Sequence, residues 1–330
     1  MAVGPEGSQA PIVPILGGGP AGMSCALWLS NYGLRPLIVE PEAALGGMAR
    51  RDPYPNPWLL GWPGMRGRED AVEFARHIEA IKIECWFGAR LQRARRLADG
   101  QFALDIAFSS QRPTRAVTCT AMVIATGTEF RGAEWLDAVE NAHHLARRGR
   151  VHLGPAWSGE PGVDLGSRIA VIGGGDNAFD VGRMLAEQGI TTSIIVRGQS
   201  PRAQPSLVER FRAFEPSGLA EVLTERTVRA LEEIGANVRL HLDDRSTRDV
   251  DHVVLLLGYR PNTHESWLAD LALKQDRAGY LIVDDNMETS RRGVFAVGDV
   301  ADPVHPCIAT AIATGTMAAR EIQKRLGRGV

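Results

Sequence analysis

The sequence is poor in cysteine, and its few cysteines are not arranged for chemistry. Cys25, Cys85, Cys119 and Cys307 are the only four, they are far apart, and no two of them form a C-x-x-C pair. This spacing argues against a metal site, and none is expected. Cys25 on a predicted helix and Cys119 in a predicted strand are expected to be small buried hydrophobic residues.

Long apolar runs and an excess of charge of one sign are also missing. No run approaches the roughly 20 apolar residues of a membrane-spanning helix. Residues 1–9 lack the regions of a signal peptide, which predicts a disordered leader and a cytoplasmic protein. The net charge of −2 argues against a nucleic-acid partner, since such domains are usually basic. With 330 residues, 44% of them hydrophobic, the chain is expected to form two globular domains with no membrane or nucleic-acid partner.

The chain is organised around a glycine-rich turn near its start. An apolar run leads into G-x-G-x-x-G at Gly17–Gly22, a helical pattern follows, and a second apolar run ends on Glu40. This order predicts a βαβ unit that binds a dinucleotide. Gly17 permits the tight turn, Gly19 lets the backbone approach a pyrophosphate, and Gly22 lets the helix pack on the strand. Glu40 is expected to accept hydrogen bonds from the adenosine ribose, a site that suits FAD.

The same pattern returns in the middle of the chain with one difference. A strand over residues 168–172 precedes G-x-G-x-x-A at Gly173–Ala178. The next strand ends at Val196 without an acid, and Arg197 and, five residues on, Arg202 follow it. Arginines accommodate a 2′-phosphate, which predicts a preference for NADPH over NADH. Two solvated arginines with no ligand are the alternative. The predicted NADPH-binding residues are Gly173, Gly175, Asp176, Asn177, Ala178, Arg197 and Arg202.

The remaining segments complete an α/β protein. A helix is predicted from Arg68 to Ile83, a β-meander from Leu91 to Ile124 and a loop-rich stretch from Glu129 to Gly166. Near the end, a strand leads into Gly298-Asp299, whose carboxylate can hold a ribityl chain. A closing helix from Ile308 to Leu326 would aim its first N–H groups at a flavin ring.

Seven of these motifs, in order, resemble the low-molecular-weight thioredoxin reductase family of flavoproteins. They are Gly17–Gly22, Gly46-Gly47, Trp62-Pro63-Gly64, Ala125-Thr126-Gly127, Gly173–Ala178, Gly258 with Pro261-Asn262-Thr263, and Gly293–Asp299. The resemblance implies a homodimer of two Rossmann-type (three-layer ββα) domains: FAD in residues 1–128 and 258–330, with the NADPH domain, 129–257, inserted between. The expected FAD-binding residues are Gly17, Gly19, Pro20, Ala21, Gly22, Glu40, Gly47, Thr126, Gly127, Gly298, Asp299, Ile308 and Ala309.

One family motif is absent. Members that reduce thioredoxin carry C-x-x-C shortly before the second glycine motif, and here Gly149–Gly159 contains no cysteine. Gly154 and Trp157 stand near the expected cysteine positions and Ser158 near that of an aspartate. Without two thiols there is no internal thiol–disulphide exchange, so disulphide reduction by the family route is not expected.

The same fold without the cysteines is found in thioredoxin-reductase-type ferredoxin/flavodoxin–NADP reductases. Those proteins usually carry a C-terminal segment that covers the flavin with an aromatic ring, whereas this chain ends soon after Leu326. Trp157 is the candidate substitute, unless it is a loop tryptophan packed between the domains. Cys307 is the second candidate for a residue beside the flavin.

The predicted function is electron transfer from NADPH through FAD to a protein such as ferredoxin or flavodoxin. Arginines around residues 50–68 and 90–96 could steer such acidic partners, or could simply be solvated. The alternatives are an NAD(P)H oxidase or quinone or other small-molecule reductase, and a redox-sensing or binding protein with reduced catalysis.

Overall fold

The computed structural model describes residues 10–109, 112–160, 163–301 and 304–327. The predicted leader lies outside them. The chain divides into two units, 1–129 with 260–330, and 130–259. In the described residues, no helix has both the length and the apolar character needed to cross a membrane.

The first part of the chain alternates strands and helices and then forms a meander. Its elements are β1 (Ile12–Leu16), α1 (Pro20–Asn31), β2 (Arg35–Glu40), α2 (Gly67–Ala80), β3 (Glu84–Phe87), β4 (Ala89–Arg96), β5 (Phe102–Phe108), β6 (Arg115–Cys119), β7 (Met122–Ile124) and β8 (Thr128–Phe130). The predicted meander is confirmed as the antiparallel sheet β4-β5-β6. Helix α2 ends before the predicted Ile83 because Lys82 adopts a left-handed φ of 57°.

The middle of the chain forms the second unit. Its elements are α3 (Ala133–Ala138), α4 (Ala142–Arg147), β9 (Val151–Leu153), β10 (Arg168–Ile172), α5 (Asp176–Glu187), β11 (Thr191–Val196), α6 (Pro205–Arg212), β12 (Ala220–Thr224), β13 (Val228–Ile234), β14 (Asn237–Leu242), β15 (Thr247–Val250) and β16 (His252–Leu255). The expectation of a loop-rich stretch from Glu129 to Gly166 was therefore wrong. Two short helices and the edge strand β9 lie there.

The chain then returns to the first unit. The last elements are β17 (Tyr259–Pro261), α7 (Ser266–Leu271), β18 (Val294–Ala296) and α8 (Ile308–Leu326). Strands β8 and β17, where the chain leaves and re-enters the first unit, pair as a two-stranded sheet. The closing helix has the predicted bounds.

The first unit has three layers. Its parallel sheet has the order β18-β7-β1-β2-β3. Val13 and Ile15 face a core shared with α1 and α8, whereas Leu16 faces a core shared with the meander. Pro14 is tolerated in the central strand because β1 pairs with β7 only from Ile15 onward, beyond the missing N–H.

The second unit is also built on a parallel sheet, in the order β12-β11-β10-β16-β9. One core joins this sheet to α3, α4 and the antiparallel sheet β13-β14-β15. Helices α5 and α6 pack together through Phe179 and Phe211, whose rings meet edge to face with centroids 5.8 Å apart. Both units are thus α/β and three-layered, as predicted.

Candidate functional site: two dinucleotide cradles

The first glycine turn has no room for side chains. Gly17 has a φ of +111°, and a Cβ added there would lie 2.3 Å from the carbonyl oxygen of Ala125. A Cβ on Gly22 would lie 2.1 Å from the carbonyl oxygen of Gly17. The turn therefore passes against β7 and the helix packs directly on the turn. These are the geometric reasons for glycine that the motif predicts.

A backbone-lined surface opens beside this turn. A Cβ added to Gly47, whose φ is +54°, would lie 3.1 Å from the Cα of Gly19. Helix α1 begins at Pro20, which has no N–H, and its first intrahelical bond runs from the Met23 N–H to the Gly19 carbonyl at 2.9 Å. The N–H groups of Ala21 and Gly22 thus have no intrahelical acceptor. This surface fits the pyrophosphate of FAD.

Glu40 is fixed by the turn that it follows. Its side chain is 5% exposed, Oε2 accepts the Gly18 N–H at 2.7 Å, and Oε1 accepts the Glu42 N–H at 2.8 Å. Burial raises the pKa of this carboxyl, and the two N–H donors oppose that rise. Each oxygen keeps lone-pair capacity for a ribose hydroxyl.

Thr126 and Gly127 form a turn that is held by a residue from the far end of the first unit. The Asn262 amide donates to the Thr126 carbonyl at 2.8 Å, and the Asn262 N–H donates to the Gly127 carbonyl at 3.0 Å. Thr126 Oγ1 returns a bond to the Asn262 carbonyl at 3.1 Å. Asn262 was not among the predicted site residues, although its motif, Pro261-Asn262-Thr263, signalled it.

The Gly298-Asp299 turn lies beside the same cradle. Gly298 has a φ of +70°, and a Cβ added there would lie 2.8 Å from the Ala21 Cβ. The Gly298 N–H donates to Thr314 Oγ1 at 2.9 Å, which ties the turn to α8. Asp299 is half-buried in this turn. The FAD residues predicted from both ends of the chain thus come together in one unit.

Cys307 caps α8. Its N–H donates to Thr310 Oγ1 at 3.1 Å, so Ile308 and Ala309 are the first helical residues and their N–H groups have no intrahelical acceptor. Helix α8 packs on α1, where the Ser24 hydroxyl donates to the Ile312 carbonyl at 2.7 Å. The thiol is half-buried. Its predicted place beside the flavin stays a prediction.

The second glycine turn repeats the geometry of the first. A Cβ on Gly173 would lie 2.3 Å from the Leu256 carbonyl oxygen, whereas no atom lies within 4 Å of a Cβ added to Gly175. Ala178, at the third motif position, is buried with its Cβ 3.4 Å from the added Cβ of Gly173. The open backbone at Gly175, directly before α5, fits the pyrophosphate of a pyridine nucleotide.

The segment after β11 folds back onto this turn. The N–H of Arg202 donates to the Gly174 carbonyl at 2.7 Å. The Asp176 carboxylate accepts the Gln204 N–H at 2.8 Å and its side-chain amide at 3.1 Å. Arg197 and Arg202 are exposed, and neither side chain has a hydrogen bond or ion pair within the described ranges. Their guanidinium groups therefore have no internal partner in the part of the chain that the structure describes.

Two predicted NADPH ligands have internal partners instead. The side chain of Asp176 holds Gln204, and the Asn177 amide donates to the Tyr259 hydroxyl at 2.8 Å. Their backbone N–H groups, and the second N–H of the Asn177 amide, remain for a phosphate. Gln204 and Tyr259 were missed, because no local motif connects them to the glycine turn.

Trp157 belongs to a cluster with two histidines in the second unit. Its ring stacks on His152 with centroids 4.1 Å apart and lies 4.6 Å from His252. His152 Nε2 and His252 Nδ1 are 3.0 Å apart. The indole is 9% exposed, and its Nε1 lacks a hydrogen-bond partner. Stacking on a flavin therefore stays a prediction that requires the indole to leave this packing.

The four cysteines are free thiols. Burial raises the pKa of Cys25, that of Cys119 to about 12 and that of Cys85 to about 11. A thiol with so high a pKa is protonated at neutral pH and is a poor nucleophile. The described residues also hold no group of three or more histidine, cysteine, aspartate or glutamate side chains that could bind a metal ion.

Comparisons with known proteins bear on the family and the fold of the chain. The family model described as pyridine nucleotide-disulphide oxidoreductase matches residues 12–320. A ferredoxin–NADP reductase of Limosilactobacillus fermentum is 30% identical over 87% of this chain and 84% of its own, and one of Ignicoccus hospitalis is 28% identical over 92% and 94%. The crystal structure of T. acidophilum thioredoxin reductase covers 96% of this chain and 99% of its own, with a TM-score of 0.80 and 22% identity.

The chain belongs to the pyridine nucleotide-disulphide oxidoreductase family. It is a pyridine-nucleotide-dependent flavoprotein oxidoreductase, with FAD and NAD(P)H as its cofactors. The predicted family resemblance and fold are confirmed.

Proposed function

We propose that this enzyme transfers electrons from NADPH to ferredoxin or flavodoxin and uses no redox-active disulphide. The observation that carries the proposal is that two glycine turns with the geometry of dinucleotide cradles occur in a chain that lacks C-x-x-C. When bound, FAD converts the two-electron hydride of NADPH into single electrons, so that one NADPH reduces two ferredoxins and releases one proton.

The cofactor assignment rests on the residues of each cradle. The first cradle, with Gly19, Gly47 and the fixed carboxylate of Glu40, suits FAD. The second, with Arg197 and Arg202 exposed beside Gly174, suits the 2′-phosphate of NADPH. The chain's own groups bind and orient the cofactors, and the start of α8 supplies a positive helix end.

The choice of acceptor follows from the absence of a cysteine pair that could exchange with a disulphide. Internal disulphide exchange needs an attacking thiolate and a second sulphur. The segment Gly149–Gly159 has no cysteine, and burial raises the pKa of Cys25, Cys85 and Cys119. Two similar proteins are named ferredoxin–NADP reductase, which supports a protein acceptor.

The cytoplasmic location and the homodimer remain predictions, the latter to be checked by sedimentation.

The test is anaerobic NADPH oxidation with purified ferredoxin, and separately flavodoxin, at increasing acceptor concentration and salt. We expect saturable reduction that weakens with salt, because acidic acceptors meet basic patches. Equal rates with every dye and none with either protein would contradict the proposal. Rapid NADPH consumption in air without a protein partner would favour a quinone or oxygen reductase, and a flavin that NADPH barely reduces would favour a binding protein.

A further inference from the structure

We propose that Pro53–Gly64, which we call the aromatic loop, is the docking surface for an acidic iron–sulphur protein that accepts the electrons. This inference rests on the proposed function. The loop has no regular secondary structure and exposes large apolar side chains: Trp58 is 77% exposed, Leu60 100% and Trp62 40%. Such a concentration of exposed apolar groups is unusual on a surface without a partner.

The loop is held in place by its own contacts. The Asn56 N–H donates to the Met65 carbonyl at 2.7 Å, and the Gly67 N–H donates to the Tyr54 carbonyl at 3.2 Å. The Trp62 ring stacks on Phe74 of α2 with centroids 6.1 Å apart. The exposed side chains are therefore presented from an anchored segment, which reduces the entropy lost on binding.

Both ends of the loop connect to the FAD cradle. The helical turn before it, Gly47–Arg51, begins at the glycine that faces Gly19. Helix α2, which follows the loop, packs against Gly46, the residue before Gly47, since a Cβ added to Gly46 would lie 2.8 Å from the Ala71 Cβ. A protein docked on this loop is thus held beside the FAD cradle.

The charges around the loop select an acidic partner. Three exposed arginines, Arg50, Arg51 and Arg66, stand at its two ends against one exposed acid, Glu69, and the half-buried Asp52. Of the arginines, Arg51 lies 3.7 Å from Glu42. The side chain of Asp70 in this region is fully buried, and burial raises the pKa of its carboxyl. A twofold contact between two copies of this chain would bring the arginines together, whereas an acidic protein complements them.

The experiment compares Trp58→Ser and Leu60→Ser with Ile282→Ser, a control at another exposed apolar residue, 48% exposed, of the same unit. NADPH-driven reduction of an acidic ferredoxin is measured against ferredoxin concentration and salt, with ferricyanide as a small acceptor. We expect KM for ferredoxin to rise about tenfold in the two loop variants, as for a central contact. Ferricyanide rates and the control should stay at the wild-type level.

The charges are tested separately by Arg50→Ala and Arg66→Ala. We expect these variants to flatten the salt dependence, whereas the apolar variants keep its slope, because rim charges steer association and central contacts hold the complex. Sedimentation compares the oligomeric state of the wild type with that of Leu60→Ser, and so shows whether a second copy of this chain binds the loop.

Three results would overturn the inference. If wild type reduces ferredoxin and the loop variants match Ile282→Ser, the docking surface is elsewhere and the proposed function stands. If wild type reduces ferricyanide but neither ferredoxin nor flavodoxin, the proposed function fails and docking fails with it. If Leu60→Ser converts a dimer into a monomer, the loop binds a second copy of this chain.

Discussion

Replacing Glu40 by glutamine tests the first cradle most sharply. The carboxylate accepts the N–H groups of Gly18 and Glu42 at 2.7 and 2.8 Å. An amide offers only one oxygen, so one of these N–H groups would face an NH2 group. That unsatisfied donor affects the fold with or without FAD. Binding of FAD weakens because a ribose hydroxyl loses a hydrogen bond to a charged oxygen, which contributes about 1.5–3 kcal/mol, so the Kd for FAD should rise roughly ten- to hundredfold.

The measurement is a titration of the flavin-free protein with FAD, followed by quenching of tryptophan fluorescence. Burial raises the pKa of Glu40, so Glu40→Gln also removes a desolvation cost, and unfolding free energy should change less than FAD affinity. Glu42→Gln is the control, because Glu42 is exposed and its contact with Arg51 at 3.7 Å is a surface pair. An unchanged FAD affinity for Glu40→Gln would refute the reasoning.

Three further predictions concern the second unit. Arg197→Ala and Arg202→Ala should each raise KM for NADPH about tenfold and leave that for NADH unchanged in steady-state kinetics, because each removes a charge-assisted bond of about 1.5–3 kcal/mol. Gly175→Ala adds a methyl group where no atom lies within 4 Å, so thermal unfolding should not change while NADPH binding weakens. Burial lowers the pKa of His152 to about 3. Between about pH 6.5 and pH 3 the unfolded chain therefore binds a proton that the folded chain does not. As the pH is lowered through this range, the free energy of unfolding should fall by about 1.4 kcal/mol per pH unit. Denaturant unfolding at pH 7 and pH 5 should show a weaker pH dependence in His152→Phe than in the exposed control His77→Gln.

A specific result would contradict each of these predictions. Equal losses with NADPH and NADH would mean that the arginines do not read the 2′-phosphate. Unfolding of Gly175→Ala would show that its surroundings are closed. A His152→Phe variant with the pH dependence of wild type would mean that His152 is not the group whose protonation destabilises the unit.

The glycine motifs predicted the cradles because their reasons are local. Gly17 needs a left-handed φ and close approach to a carbonyl, and Gly173 likewise leaves no room for a Cβ. Sequence reasoning recovers such constraints because one residue and its neighbours decide them. The closing helix, Ile308–Leu326, was also predictable, since its long amphipathic pattern is continuous.

The contacts that complete the cradles could not be predicted in the same way. Asn262 donates to Thr126, although the whole inserted unit separates the two residues in sequence. Gln204, which donates to Asp176, lies in a separate loop. Helices α3 and α4 have six residues each, too short for a clear period. Tertiary packing decides all of these features. The cluster of His152 and His252 against Trp157 also depends on packing, and the sequence did not indicate it.

The most direct test of the central claim is an anaerobic stopped-flow experiment in two steps. The holoenzyme is mixed with one equivalent of NADPH, or of NADH, and the flavin absorbance is followed. Ferredoxin is then added. The account predicts rapid bleaching with NADPH, slower bleaching with NADH, and return of the yellow colour as ferredoxin is reduced. A flavin that stays yellow with both nucleotides, or stays bleached after ferredoxin and, in a separate run, flavodoxin are added, would contradict it.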